Sequence, residues 1–244
     1  MFFEDPARYG ELWADIYDTE HVSLDTEGPV AFLAELGRHV RVLELGVGTG
    51  RVALALASRG IDIVGIDASE AMVSRLRRKP GGEELKVTIG DMASTPLGGP
   101  FGLVFVVFNT FFGLMTQERQ VQCFVNVARS LSEGGRFVLE CFVPDVARFS
   151  DESETVRAVS VEDDLVRLEA SVHDPVNQQI RSQIVFLGSE GIDLRPVSIR
   201  YVWPAELDLM ARLAGLELED RYGGWGKEPF SASSICHVSV YRRP

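Results

Sequence analysis

Three glycines at alternate positions, Gly46, Gly48 and Gly50, directly follow a short apolar run that predicts a buried strand. Glycine lets the backbone take positive φ and lets a ligand approach closely. The next residues, 51–58, are rich in alanine and leucine and predict a helix. A helix N-terminus offers unpaired N–H groups to a negatively charged ligand group. The pattern therefore predicts a nucleotide-type cofactor site.

Acidic residues accompany the carboxyl ends of three successive predicted strands. Glu44 lies in the first strand just before the glycines, Asp67 ends the second, and Asp91 follows the third. In an open α/β sheet this edge binds ligands, and an acidic residue ending the second strand is placed to accept hydrogen bonds from ribose hydroxyls. A dinucleotide site would need a third glycine where this chain has Arg51, which disfavours a nicotinamide cofactor.

A series of motifs in this order is similar to that of class I S-adenosylmethionine-dependent methyltransferases. The motifs are Glu-Leu-Gly-Val-Gly-Thr-Gly (44–50), Gly-Ile-Asp-Ala-Ser (65–69), Gly-Asp-Met (90–92) and Leu-Ser-Glu-Gly-Gly (131–135). The tyrosine-rich N-terminal segment further resembles small bacterial natural-product N-methyltransferases of the amino-sugar and lincosamide type. One departure is Gly102, where the family usually places an aspartate that caps the start of a strand.

The resemblance implies an α/β fold with a Rossmann-like, mostly parallel seven-stranded sheet flanked by helices. It also implies an antiparallel β insertion after the fifth strand, which helps form the substrate pocket and an oligomer contact. Partial alternation of polar and apolar residues in the insertion predicts about three strands. We expect a helical lid at 1–40, a cofactor-binding core at 41–143 and 204–244, and the insertion at 144–203.

The resemblance also implies the cofactor S-adenosylmethionine, with S-adenosylhomocysteine as its product. We expect an adenine-binding pair in which the Asp91 carboxylate accepts from the exocyclic amine and the Met92 N–H meets a ring nitrogen. The full set of expected cofactor-binding residues is Glu44, Gly46, Gly48, Gly50, Asp67, Ala68, Asp91, Met92, Phe108 and Asn109.

Aromatic residues predict the acceptor side of the site. Phe111 and Phe112 follow the buried fourth strand, so we expect them exposed at the same rim as a wall beside the sulfonium. Ordinary core packing is the alternative. Trp225 lies on a glycine-rich loop that borders the pocket or caps the core. Tyr9 and Tyr17 lie on one predicted helix, which the family folds over the cofactor, and we expect catalytic roles for them rather than simple packing.

No general base stands out in the sequence. The four histidines are candidates by residue type only, and we interpret each as structural or exposed: His21, His39, His173 and His237. An amine acceptor needs only to arrive neutral, whereas a hydroxyl acceptor requires a positioned base. N-methylation of a small natural-product amine is therefore the primary interpretation. The alternatives are a small-molecule O-methyltransferase, a nicotinamide-dependent oxidoreductase and a non-catalytic cofactor-binding module.

Composition and charge restrict the class of protein further. The 244 residues carry a net charge of −12, which disfavours nucleic acid as a partner and is compatible with a cationic amine. No apolar run approaches the roughly 20 residues of a membrane-spanning helix. The N-terminus lacks the pattern of a signal peptide, so we expect a cytoplasmic protein. The three cysteines are dispersed, without metal-ligand spacing, and we expect buried small hydrophobes and no metal.

Overall fold

The computed structural model describes residues 5–22, 24–149, 153–189 and 191–244. The helices in this part are α1 (Arg8–Trp13), α2 (Tyr17–Glu20), α3 (Glu27–Gly37), α4 (Ala53–Ser58), α5 (Glu70–Arg77), α6 (Gln117–Ser130) and α7 (Pro204–Leu213). The strands are β1 (Val42–Leu45), β2 (Ile63–Asp67), β3 (Val87–Ile89), β4 (Phe101–Val106), β5 (Leu131–Phe142), β6 (Glu154–Val161), β7 (Leu165–Asp174), β8 (Gln179–Gly188), β9 (Gly191–Arg200), β10 (Glu217–Tyr222) and β11 (Cys236–Arg242).

Seven of these strands form one sheet, in the order β10-β11-β5-β4-β1-β2-β3. Strands β1 to β5 run parallel, and β11 is antiparallel to both of its neighbours. The predicted mostly parallel Rossmann-like sheet is thus confirmed. Strand order reverses between β1 and β4, and ligands bind at such a switch point, outside the carboxyl ends of the strands.

Helices cover both faces of this sheet, because its central strands are apolar on both sides. All four residues of β1 are buried, as expected of a parallel strand with helices above and below. On one side Phe124 of α6 packs edge-to-face on Phe137 and Tyr241, with ring centroids 5.2 and 5.6 Å apart. On the other side Leu33 of α3 and Leu56 of α4 are fully buried against the sheet.

The insertion forms a separate four-stranded antiparallel sheet in the order β6-β7-β8-β9. The expected number of about three strands was wrong. The stretch 156–172, which alternates as if it were continuous, is divided into β6 and β7 by the turn at Glu162, Asp163 and Asp164. Three consecutive carboxylates favour a solvated turn, since aspartate and glutamate are depleted in strands and aspartate favours turns.

The N-terminal segment docks on the insertion. The single helix expected to carry Tyr9 and Tyr17 is broken into α1 and α2. The guanidinium of Arg195 in β9 explains where α1 ends. It donates to the Leu12 carbonyl and, at 2.7 and 3.0 Å, to the Asp15 carboxylate. The Leu12 carbonyl lies in the last turn of α1, where carbonyl groups lack partners within the helix. Trp13 Nε1 donates to the Pro196 carbonyl at 3.1 Å, and the Trp13 ring meets the edge of Phe186.

None of the helices in the described ranges is long and apolar enough to cross a membrane.

Candidate active site

The glycine turn at the end of β1 has the backbone geometry that only glycine adopts readily. Gly46, Gly48 and Gly50 have φ of +67°, +53° and +82°. A Cβ at Gly46 would lie 2.4 Å from Cγ2 of Thr110, so a side chain there would clash. A Cβ at Gly48 would meet only the Gly46 carbonyl oxygen, at 3.9 Å, because the space above it is open.

Asp67 at the end of β2 fixes this turn. One carboxylate oxygen accepts from the Gly48 N–H at 2.7 Å, and the other accepts from the Ser69 N–H at 2.8 Å. Burial raises the pKa of Asp67, while these backbone donors oppose that shift. A carboxylate offers about four lone-pair positions, so Asp67 retains acceptor capacity for hydroxyls of a bound ligand.

Glu44 lies beneath the turn and is only 2% exposed. Burial raises its pKa to about 8, although Arg51 and the Ala53 N–H favour the charged form. Within the described residues its Oε2 has no hydrogen-bond partner. Buried polar atoms are normally paired, so this orphaned oxygen fits a ligand that brings a donor. The amino group of S-adenosylmethionine would be such a donor, and the open space at Gly48 would accommodate the ligand.

A cavity of about 470 Å³ joins the glycine turn to the N-terminal helices and the inner side of the insertion. The predicted residues that line it are Tyr9, Tyr17, Gly46, Gly48, Asp67, Ala68, Asp91, Met92, Phe108 and Asn109. The predicted residues outside its lining are Glu44, Gly50, Phe111, Phe112 and Trp225. Most residues expected to hold the cofactor therefore surround one cavity, whereas the expected substrate-binding residues do not.

The third strand end supplies Asp91, whose carboxylate already has protein partners. It accepts from the Ala93 N–H at 2.9 Å and the Ser94 hydroxyl at 3.0 Å, and it forms an ion pair with Arg119. These bonds fix the loop after β3 and leave little of the carboxylate free. The expected contact of Asp91 with an adenine amine stays a prediction, and it would use the lone-pair position that remains.

The rim after β4 contains two consecutive left-handed residues, Phe108 and Asn109, with φ of +54° and +60°. Such a conformation costs about 1–3 kcal/mol for a residue other than glycine. Glu140 of β5 offsets part of this cost by accepting from the Phe108 N–H at 2.7 Å. Asn109 in turn accepts from the Phe142 N–H at 2.7 Å. The rim is thus held in place by β5.

Trp225 supports the rim from outside the cavity. Its Nε1 donates to the other Glu140 oxygen at 2.8 Å, and its ring packs edge-to-face on Phe32. The expectation that Trp225 binds substrate is not supported by this placement, because the loop lies on the side of the sheet that faces α3. Trp225 therefore contacts the rim indirectly, through Glu140.

The expectation that Phe111 and Phe112 are exposed at the rim was wrong. Both side chains are fully buried. After the left-handed pair the chain enters a 3₁₀ turn, Thr110–Gly113, which directs both rings into the core. Phe111 packs on Phe124 and Phe112 on Phe142, with centroids 5.5 and 4.9 Å apart. Residues 110 and 113 of the turn line the cavity instead.

Aromatic rings of α1 and α2 form the opposite wall of the cavity. Tyr9 stacks on Trp13 at 5.6 Å and meets Tyr17 edge-on at 6.4 Å. Burial raises the pKa of Tyr17 to about 12, and it also raises the pKa of Tyr9. Both hydroxyls therefore stay protonated at neutral pH. They are suited to hydrogen bonding and to contact with a cation, and they are poor general bases.

His21 is a cavity residue that the sequence interpretation missed. Its ring stacks on Tyr17 at 4.4 Å and meets the edge of Phe108 at 5.1 Å. The spacing Tyr17-x-x-x-His21 was the available signal, since residues four apart lie on one face of a helix. Of the other histidines, His39 is exposed, while His173 and His237 are buried outside the cavity.

Two carboxylates attach the N-terminal helices to the cofactor side. Asp18 accepts from the Thr49 hydroxyl in the glycine turn at 2.6 Å and from the Lys79 ammonium at 2.9 Å. Glu11 accepts from the hydroxyl of Ser69, the N-cap of α5, at 2.9 Å. The wall of the cavity is thus tied to the turn that it covers. Among the described residues, no cluster of His, Cys, Asp or Glu is arranged to hold a metal ion.

Comparison with known proteins identifies relatives of this arrangement. Residues 42–135 match the family model described as a methyltransferase domain. The chain is 31% identical to the cypemycin N-terminal methyltransferase of Streptomyces sp, covering 98% of this chain and 99% of that protein. The structure of the CcbJ methyltransferase from Streptomyces caelestis is 40% identical, with a TM-score of 0.91 over 98% of this chain and 99% of that one. The S-adenosylmethionine-bound amino pentose methyltransferase CalS10, from Micromonospora echinaspora, shares the fold at 22% identity, with a TM-score of 0.72 over 94% and 97% of the chains.

We expect Asp67→Asn to weaken the binding of S-adenosylmethionine by about 1–3 kcal/mol, because the amide replaces a charged acceptor at the end of β2. Isothermal titration calorimetry measures the change. Asp62→Asn is the matched control, since Asp62 precedes the other end of the same strand and is exposed. Equal affinities for the folded Asp67 variant and wild type would remove Asp67 from the binding site.

We expect Gly48→Val to abolish this binding, because the new side chain would enter the open space above the turn. Gly60→Val is the control for backbone strain. Gly60 has φ of +80°, also has open space at its Cβ position, and lies outside the cavity lining. Thermal unfolding and calorimetry on both variants separate strain from obstruction. If Gly48→Val bound the cofactor as well as Gly60→Val does, the turn would have a structural role only.

Proposed function

This chain belongs to the S-adenosylmethionine-dependent methyltransferases, and we propose that it methylates the nitrogen of a small amine in a natural-product biosynthetic pathway. A relative named as an N-terminal methyltransferase supports the choice of nitrogen, because the N-terminus of a polypeptide is an amine. Family membership removes the nicotinamide-dependent oxidoreductase from the alternatives. We also propose a cytoplasmic location, in keeping with cysteines that are free in the described part of the chain.

The continuity of the cavity carries this proposal. The same cavity is lined by the glycine turn, by the aromatic wall of α1 and α2, and by Ile184, Val197 and Ile199 of the insertion. A cofactor at the strand ends and an acceptor against the insertion would therefore meet inside one enclosure. We propose that residues 1–40 act as the lid, that residues 144–203 shape the acceptor side, and that the remaining segments hold the cofactor.

The protein contributes to this reaction mainly by positioning the two reactants, and less by supplying groups that make or break bonds. S-adenosylmethionine supplies a methyl group that is already activated by a positively charged sulfur. The protein must hold the acceptor in line with that methyl group, and positioning of this kind can supply much of the acceleration. We propose that Tyr9 and Tyr17 orient the reactants through their hydroxyls and rings. Their raised pKa values argue against proton abstraction from a hydroxyl acceptor.

The proposal is tested with a panel of acceptors offered as matched pairs, each amine beside the same scaffold carrying a hydroxyl. The panel includes an amino sugar, a cyclic secondary amine and a short peptide with a free N-terminus. We expect mass spectrometry to show transfer of a methyl group to nitrogen in at least one amine. Transfer to the hydroxyl members alone would establish the O-methyltransferase alternative. Cofactor binding without turnover of any member would favour a non-catalytic module.

We further propose that the insertion mediates a homo-oligomer through its outer face. The strand registers align the side chains of this face in rows, and the row of Glu154, Val172, Arg181 and Ser198 carries charge. The rows beyond it place twelve side chains on the face, and eleven of those twelve are apolar. They are Val156, Ala158, Val161, Val166, Leu168, Ala170, Gln183, Val185, Leu187, Ile192, Leu194 and Pro196. The opposite face packs on α1 through Phe186 and Trp13, whereas on the outer face Val161 and Ile192 are each 72% exposed.

A second copy of the chain is the partner that fits this face. A contiguous apolar sheet face is normally covered, and these twelve positions include no charged residue in a protein of net charge −12. Two such faces meeting about a twofold axis would each bury the other, since sheets pack face to face at about 10 Å.

We expect Leu194→Arg to convert the oligomer to monomer, because it would place a charge on the apolar face at a side chain that is 53% exposed. Val176→Arg is the control, since Val176 lies 88% exposed in the turn between β7 and β8. Light scattering coupled to size exclusion measures the mass of each variant. A wild-type protein that stays monomeric at high concentration would rule out this assembly.

A further inference from the structure

We propose that His21 is the proton acceptor of the reaction, and that its Nε2 removes the proton of an ammonium acceptor before methyl transfer. This inference rests on the proposed N-methylation. It adds a catalytic residue that the aromatic wall alone does not provide. Three features of the structure carry it: the tautomer of the ring, the fixed orientation of the ring, and the state of the other ionisable groups that line the cavity.

The hydrogen bonding of His21 determines where its lone pair lies. Nδ1 is 2.9 Å from the carbonyl oxygen of Tyr17. A carbonyl oxygen only accepts, so Nδ1 carries the hydrogen and the neutral ring keeps its lone pair on Nε2. Within the described residues no hydrogen bond occupies Nε2. The helix backbone thus presents Nε2 in the form that accepts a proton.

The ring has little freedom to turn. It stacks on Tyr17 with an interplanar angle of 29°, and it meets the edges of Phe108 and Trp13 with centroids 5.1 and 6.3 Å away. Phe108 belongs to the rim that Glu140 holds in place. Because His21 lines the cavity between the lid and this rim, a fixed base faces the space where acceptor and cofactor would meet.

The other ionisable residues of the cavity lining are less suited to this role. Tyr9 and Tyr17 stay protonated because burial raises their pKa values. Asp67 accepts from backbone N–H groups of the glycine turn and of residue 69, and Asp91 is paired with a guanidinium. Histidine is also the residue type that changes charge between about pH 5 and 8.

The charged groups around His21 have partners or lie beyond its aromatic neighbours. On α2, which ends just before His21, Asp18 is bonded to Lys79 and Glu20 is paired with Arg167 of β7. From the glycine turn, the Arg51 guanidinium lies 5.9 Å from the Phe108 ring centroid. The aromatic rings that contact His21 are themselves uncharged. Nε2 is therefore left for the acceptor rather than used in an ion pair.

The proposed step balances in protons and charge. The ammonium N–H bond breaks, its electron pair stays on nitrogen, and the proton forms an N–H bond at Nε2, which leaves an imidazolium. The freed nitrogen lone pair then forms the bond to the methyl carbon as the carbon–sulfur bond breaks, and that bonding pair stays on sulfur. The product is a methylated ammonium, and the imidazolium returns its proton to solvent.

The test uses two substitutions that each preserve a different structural role of His21. His21→Asn keeps a donor for the Tyr17 carbonyl, and His21→Phe keeps the stacking on Tyr17, but neither side chain is a base. We expect kcat with an amine acceptor to fall about 10²–10⁴-fold in both variants, as when a general base is removed. We expect the Kd for S-adenosylmethionine to stay within about twofold of wild type, because the cofactor site stays folded in both variants and only the chemical step is affected. His39→Asn is the control, because His39 is exposed and lies outside the cavity lining.

The pH dependence separates proton removal from positioning. In wild type we expect kcat to fall toward acidic pH as the base takes up a proton, and we expect this limb to be absent from the residual activity of both variants. If either variant kept most of the wild-type kcat, or if the acid limb of the pH profile remained in the variants, His21 would only support Tyr17. A wild-type enzyme that methylates hydroxyls and no amine would instead overturn the proposed function, which the acceptor panel shows independently of these variants.

Discussion

The hydrogen bond from the Gly48 N–H to the Asp67 carboxylate joins the ends of β1 and β2, and the geometry of the site depends on it. It fixes a left-handed turn that leaves open space for a ligand, and it keeps Asp67 at the cavity. Thr49, the next residue, donates to Asp18 and so attaches α2 to the same turn. A parallel sheet favours this arrangement. Its strands are buried on both faces, and the polar residues at their carboxyl ends lie together at one edge of the sheet.

The insertion gives the other half of the site, and its two faces have different surroundings. The inner face packs on α1 and contributes Ile184, Val197 and Ile199 to the cavity. Bonds from Trp13 to the Pro196 carbonyl and from Arg195 to Asp15 then fix the lid against β9. Because the same four strands carry the apolar outer face, the proposed association through that face would stiffen the wall against which the proposed acceptor would rest. In that case assembly and acceptor binding would be physically connected.

The sequence predicted the features that depend on local residue patterns. It did not predict the placement of side chains whose positions are decided by tertiary packing. The parallel sheet followed from the resemblance of the motif series to a known family, and the cavity position of Gly48 followed from a strand, a glycine turn and a carboxylate at fixed spacing. The burial of Phe112 did not, because apolar residues after a strand fit a rim or a core equally well until the backbone is known. Two left-handed residues just before it turn the chain inward, and their stabilisation by Glu140 comes from a strand 32 residues later. His21 was overlooked because its significance lies in partners that only the folded lid brings together.

Glu44 shows how the site reduces the stability of the protein without its ligand. Its pKa is raised from 4.5 to about 8 by burial, so the folded chain holds this proton over a range in which the unfolded chain has released it. The contribution of Glu44 to stability is therefore greatest below about pH 4.5 and is lost as the pH rises to about 8. A cationic ligand that pairs with the unpartnered Oε2 would lower this pKa and reverse the loss. The buried carboxyl is thus unfavourable for the fold at neutral pH, and a ligand cation that paired with it would link the stability of this edge of the sheet to ligand binding.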